Sequence, residues 1–250
     1  MKRTSSFFTS GGRRPESAVS AFDDLPPSGQ TTTPAPQPGP SGASGSMGFV
    51  MDTVNSAIAL VKNPLSYITS NKDSPATVMG IMVNYVAVLA AIPFFATLLG
   101  DLWWYSLYIP LNFAGSYVAY AFTSAVLVYI LDVIAVYVIA MVVRFLAPTF
   151  NSAADEIKSL KLAAYVFTPV FLISVLDIVP LLGFVTVLGV LYGLYILYLG
   201  LPVMLGTSKE RVVTYVIAVV IATFVVYAVI GLIIGVITGA VFHAALGYFY

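Results

Sequence analysis

Cysteine is missing from this chain altogether, and histidine occurs once, as His243. The first absence excludes disulfides, thiolate metal sites, S-palmitoylation and cysteine nucleophiles. The second excludes any metal site built from several histidines. Charge is also scarce: 9% of the 250 residues are Asp, Glu, Lys or Arg, against roughly 25% in an ordinary soluble domain. A soluble chain of this length has to cover its surface with polar side chains, and too few are present. No phosphate-binding Gly-x4-Gly-Lys-Ser/Thr loop, no His-Glu-x-x-His pair and no Gly-x-Ser-x-Gly elbow occurs. No catalytic residue, cofactor, metal or nucleic-acid partner is therefore expected. No apolar run follows Met1-Lys2-Arg3, so insertion is expected to be directed by later segments rather than by a secretory signal.

What is abundant is apolar sequence, 59% of the chain, and it is unevenly spread. Residues 1–46 carry Pro15, Pro26, Pro27, Pro34, Pro36, Pro38 and Pro40 among Gly, Ser and Thr. Such a segment buries too little apolar area to offset its ordering entropy and is expected to be a disordered tail. Arg13 and Arg14 beside serines, or the Pro34–Pro40 stretch, are its candidate docking sites for a cytosolic protein. Residues 47–72 change character: Met47, Val50, Met51, Val54, Ala57, Ile58, Val61 and Leu65 recur at three- and four-residue spacing. This pattern predicts an amphipathic helix at the membrane interface, or against the protein's own loops, broken near Pro64.

Residues 73–250 contain five runs long enough to cross a hydrocarbon core of about 30 Å. They lie at about 76–99, 118–143, 162–179, 184–204 and 212–239. Ser74-Pro75 reads as a cap before the first, and Ser152-Ala-Ala-Asp155 as a capping box before the third. Trp103, Trp104, Tyr105 and Tyr108 follow the first span, as an interfacial aromatic belt does. The expected architecture is an all-α bundle of five membrane spans.

All eleven Lys and Arg residues fall before the first span, between the second and third, or between the fourth and fifth. By the positive-inside rule this predicts a cytosolic amino terminus and an external carboxyl terminus. The cell membrane is the expected location, or a Golgi or endoplasmic reticulum membrane in a eukaryote.

Four stretches then bear on family. Lys62-Asn-Pro64 precedes the first span. Leu160-Lys-Leu-Ala-Ala-Tyr-Val-Phe-Thr-Pro169 leads into a span ending Ile178-Val-Pro-Leu-Leu-Gly183. Leu191-Tyr-Gly-Leu-Tyr-Ile-Leu-Tyr-Leu-Gly-Leu-Pro202 precedes a polar turn and a final apolar helix. Over roughly residues 50–238 the chain resembles the Yip domain family, the Ypt/Rab-interacting membrane proteins, especially its bacterial and archaeal members. The resemblance implies five spans with a cytosolic amino terminus. Eukaryotic relatives are associated with Rab-type GTPases, vesicle formation and the shape of Golgi and reticulum membranes. Their Asp-Leu-Tyr-Gly-Pro signature is absent from this sequence.

Within the spans, ionisable groups are few enough to name. Asp132 and Asp177 are the candidate intramembrane polar site, with Asn84, Tyr192 and Tyr195 as hydrogen-bonding neighbours. A charge at mid-bilayer costs about 2.5–3.5 kcal/mol on insertion scales, so Asp132 must gain a partner, meet water or keep its proton. Asn84 and the fourth-span tyrosines are its expected partners. A satisfied packing bond is one reading of it, and a proton or cation relay the other. Gly189 and Gly193, and Gly231, Gly235 and Gly239, recur every four residues. That spacing lets helix backbones approach closely, within the monomer or, on the fifth span, in a homodimer. Pro169 and Pro180 are expected to kink or turn the chain. The function these features favour is a non-enzymatic scaffold or adaptor of the Yip type, acting in membrane organisation or trafficking. The alternative is a small-solute or ion transporter or channel using Asp132 and Asp177.

Overall fold

The computed structural model describes residues 46–108 and 114–247, so residues 1–45 of the expected tail lie outside it. All regular structure among the described residues is helical. The elements are α1 (Ser46–Lys62), α2 (Pro64–Asn71), α3 (Val78–Ile81), α4 (Ala87–Tyr108), α5 (Ala114–Leu146), α6 (Glu156–Ile173), α7 (Thr186–Leu205) and α8 (Lys209–Gly247). A π-helical turn, Met82–Val86, joins α3 to α4 in one continuous span. Five helical stretches are long and apolar enough to cross a membrane: Val78–Tyr108, Gly115–Phe150, Glu156–Ile178, Leu181–Leu205 and Lys209–Ala244. Each matches one of the five expected runs.

The first and third spans begin later than their caps suggested. Thr77, not Ser74, caps α3, its hydroxyl accepting from Gly80 N at 3.0 Å. Asp155, not Ser152, caps α6, accepting from Lys158 N at 2.8 Å. The two serines are bound elsewhere. Ser74 Oγ accepts from Lys161 at 2.9 Å, and Ser152 Oγ shares a 2.8 Å hydrogen bond with Thr207 Oγ1.

Two antiparallel pairs organise the bundle. α6 packs on α7 and α5 on α8, while α4 packs along α5. The central member is α6: 67% of the apolar stretch of its span is buried inside the protein, against 11% for the span of α8. The α6–α7 pair is close because α7 turns glycine toward it. A Cβ on Gly193 would lie 2.5 Å from the Val166 carbonyl oxygen, and one on Gly189 would lie 3.0 Å from the Pro169 carbonyl oxygen. Gly200 continues the same face, against Leu162. Without a hydrophobic driving force between helices in lipid, such backbone approach is a main source of association. α6 runs through Pro169 for a further turn to Ile173 and then tightens into a 3-10 segment, Ser174–Ile178; Pro180 opens a second one, Pro180–Val185.

The expected helix over 47–72 is two helices, and they do not simply lie on the surface. Asn63 ends α1 and caps α2, with Pro64 at the first helical position. At that break the chain changes direction. The α1 end of the hairpin reaches far along the bundle: the Val61 carbonyl accepts from Tyr192 Oη at 2.7 Å, and Val61 shares a groove with Pro169, Ile173 and Gly189. Pro169 is roughly 20 Å along α6 from its start, about two-thirds of a hydrocarbon core. α2 then descends. Tyr67 meets Tyr165 edge-on with ring centroids 5.5 Å apart, and Ile68 sits beside Gly200. Ala57, Leu60 and Ile68 are fully buried. Met51, Ile58 and Leu65 are exposed on the other face, as side chains turned to lipid are. Lys62, at the bend, is exposed.

The descent ends on Lys161. This buried lysine donates to Asn71 O at 3.0 Å, Ser74 O at 2.6 Å and Ser74 Oγ at 2.9 Å. The three acceptors satisfy the three ammonium hydrogens.

The glycine contacts predict an asymmetry in stability. Gly193→Ala should destabilise the bundle by about 1–3 kcal/mol, because backbone must move to admit the methyl group. Gly235→Ala, where an added Cβ meets nothing within 4 Å, should leave stability unchanged or raise it by up to about 1 kcal/mol through helix propensity. Thermal unfolding of the two variants in detergent checks this.

Candidate functional site

The site grows from the two aspartates. Asp132 sits on α5 and Asp177 on the 3-10 segment after α6. Both line one cavity of about 520 Å³, walled mainly by apolar side chains from α4 to α8, Val166, Val170, Leu194 and Val220 among them. Thr97, Ser174, Thr186, Thr223 and Tyr227 are its other polar members, and no Lys or Arg among the described residues lines it. The size falls within the ordinary range for small-molecule sites, about 300–1,000 Å³.

Each carboxyl has a hydrogen bond, but not to the partners the sequence suggested. Tyr227 Oη of α8 donates to Asp132 Oδ1 at 3.2 Å. Thr186 Oγ1, at the start of α7, donates to Asp177 Oδ1 at 3.1 Å. A third carboxyl, Asp101, accepts from Ser124 Oγ at 2.7 Å. Asn84 is exposed, and its backbone carbonyl accepts from Thr53 Oγ1 of α1 at 2.9 Å. Tyr192 is committed to Val61, and Tyr195 and Tyr198 are exposed. The expected partnership of Asp132 with Asn84 or these tyrosines is therefore corrected to Tyr227. The reason is register: α5 and α8 run antiparallel, and the pairs Tyr215–Val143 and Tyr227–Asp132 fall on one seam. The local signal for it was a tyrosine near the middle of the largely apolar fifth span.

The glycines divide. Gly189 and Gly193 lie against α6 within the monomer. At Gly231, Gly235 and Gly239 an added Cβ meets no atom of another element among the described residues within 4 Å, so the reading that they pack within the monomer is replaced by an open face among those residues. Beyond them His243 is exposed.

Charge collects at the opposite end. Arg144 pairs with Glu156 at 2.8 Å, and Lys158 with Asp73 at 3.0 Å. The Lys158 hydrogen bond holds the Asp73 carboxyl below the usual carboxylate range. Arg211 donates to Thr149 O at 3.3 Å. Among the described residues, every Lys and Arg except Lys62 lies at this end. Among the same residues, no cluster of His, Asp and Glu has the geometry of a metal site.

Five apolar spans, polar groups bonded inside the bundle and one charged end define a multi-pass helical membrane protein. The Yip1 domain matches residues 58–231, a range that takes in the hairpin bend, four complete spans, much of the fifth and every residue lining the cavity. The chain belongs to the Yip1 domain family. No curated protein and no solved structure matches it.

For Asp132, Tyr227→Phe should destabilise by about 0.6 kcal/mol, the average for interhelical hydrogen bonds in membranes. Asp132→Asn, which keeps shape and hydrogen bonding, should match the wild type within that margin, whereas Asp132→Leu should not. A double-mutant cycle on Asp132 and Tyr227, read by unfolding in detergent, should return a coupling of the same size.

Proposed function

We propose that this protein is a non-enzymatic membrane scaffold or adaptor of the Yip type, with its amino terminus cytosolic and its carboxyl terminus across the membrane. In this role it acts in membrane organisation or trafficking through cytosolic partners engaged by the amino-terminal segment. The observation that carries the reading is the buried Lys161 clamp. The segment leads directly into the α1–α2 hairpin, and Lys161 bonds that hairpin's return to the central helix. A partner held by the segment is thereby joined to the whole bundle rather than tethered by a loose linker. The gathering of lysine and arginine at the same end supports the cytosolic side.

A second reading has its own observation: Asp132 and Asp177 share a cavity, as a polar path for a small solute or an ion requires. Its walls are mostly apolar and both carboxyls are already bonded, which weighs toward the scaffold, since transport paths are marked by polar groups near the midplane.

Topology is checked by a reporter fused after Tyr250, expected to be active only outside the cytosol. A cytosolic signal would rule out a cytosolic amino terminus combined with an odd span count. The scaffold role is checked by affinity purification in mild detergent from cells with the full chain and with residues 2–45 deleted. The deletion should keep the thermal transition and lose the co-purifying cytosolic proteins. Identical partner sets from both chains, or a solute flux that Asp132→Asn abolishes in a stably folded protein, would favour the second reading instead.

A further inference from the structure

The cavity's shape says more about its occupant than its volume does. Along α6 and the segment after it, lining residues run from Ala163 through Val166, Val170 and Ser174 to Asp177. That path is roughly 15 Å of α-helix and 8 Å of 3-10 helix. A volume of about 520 Å³ spread over such a length is one hydrocarbon chain wide.

The slot also opens sideways. α7 and α8 are buried together near the connection between them, at Leu201, Leu205, Val212 and Tyr215. Farther along, the cavity lies between them, bordered by Val190 and Phe224, which are 46% and 76% exposed. In a multi-pass membrane protein that opening faces lipid, and an apolar slot open to lipid is entered by the chains surrounding it, not by water.

One end of the slot is chemically distinct. Asp177 stands there with Thr186, and its Oδ2 has no hydrogen bond among the described residues. Among the described residues, no lysine or arginine lines the cavity to neutralise it. A carboxylate at the mouth of an apolar slot complements a cationic amine on an apolar chain.

We propose that the cavity holds one acyl chain of a phospholipid whose headgroup amine is received by Asp177. The chain lies along α6 between α7 and α8, and the Asp132–Tyr227 bond closes the polar wall it passes. This goes beyond the scaffold reading, and its test uses purified protein with no cytosolic partner.

The experiment reconstitutes the full chain in nanodiscs holding a trace of phosphatidylethanolamine with a photoreactive group midway along one acyl chain. A parallel set uses phosphatidylglycerol with the same chains. After illumination, crosslinked peptides are quantified. Label from the phosphatidylethanolamine probe should concentrate on the peptides around Val166–Val170 and Val220–Thr223. Filling the slot with Val190→Trp and Thr223→Trp should reduce it about tenfold. Ile221→Trp, on the exposed face outside the slot, should not change it. Asp177→Asn should erase the preference for phosphatidylethanolamine over phosphatidylglycerol while leaving the thermal transition in place. Should the tryptophan pair unfold the protein, Leu194→Phe with Val220→Phe fills the same space more gently and is read identically. Label spread evenly over all lipid-facing helices, label insensitive to slot filling, or no preference between the two headgroups would each overturn the proposal.

Discussion

Where Gly193 meets the carbonyl of Val166 no side chain separates the two helices, and much of the bundle follows from that contact. It holds α6 and α7 at a distance only glycine permits, which leaves α6 enclosed by α4, α5, α7 and the hairpin. Enclosure then dictates chemistry. Beyond the exposed first turn of α6, a buried polar side chain is out of reach of water and headgroups, and Lys161 and Thr168 find their partners inside the protein. Thr168 Oγ1 bonds to Ala164 O at 2.9 Å and to Tyr85 Oη at 2.8 Å. Lys161 gathers three acceptors from the end of α2 and the linker before α3. The partners of the central helix thereby fix where the first span and the hairpin sit.

The same enclosure explains how the cavity is possible. α6 pairs with α7 and α5 with α8, and the cavity lies between the two pairs. The space between them is bounded by valines, leucines and phenylalanines with a carboxyl at each of two levels. Tyr227 and Thr186 donate to those carboxyls, so their hydrogen bonds are made without drawing a lysine into the membrane. Solvation by hydroxyl groups keeps a polar wall compatible with an apolar lumen.

Much of the fold was legible in sequence because its signals are local. Span length and the glycine period of Gly189 and Gly193 need no knowledge of neighbours, and each led to the right element. The failures share a cause. Ser74 and Ser152 have the right residue types and spacing for caps, yet more distant groups, Lys161 and Thr207, claim them. Asp132 announced itself as a residue needing a partner, but the partner depends on the register between α5 and α8, which no local pattern encodes. The hairpin is the clearest case. A helix with one apolar stripe reads the same whether that stripe meets a bilayer surface or a protein core. Only the Tyr192 bond to Val61 and the burial of Leu60 and Ile68 distinguish the two.

The Lys161 clamp also has a mechanical meaning. A pull on the chain before Ser46 passes first into α1, then around the bend at Asn63 and down α2 to the carbonyls of Asn71 and Ser74. There the load is taken up in shear by three hydrogen bonds to a single ammonium on the most deeply enclosed helix. The peripheral spans, α5 and α8, stand outside that line of force. Tension on the amino-terminal side is therefore shared among the Thr53 bond to the first span, the Tyr192 bond to Val61 and the clamp at the centre of the bundle.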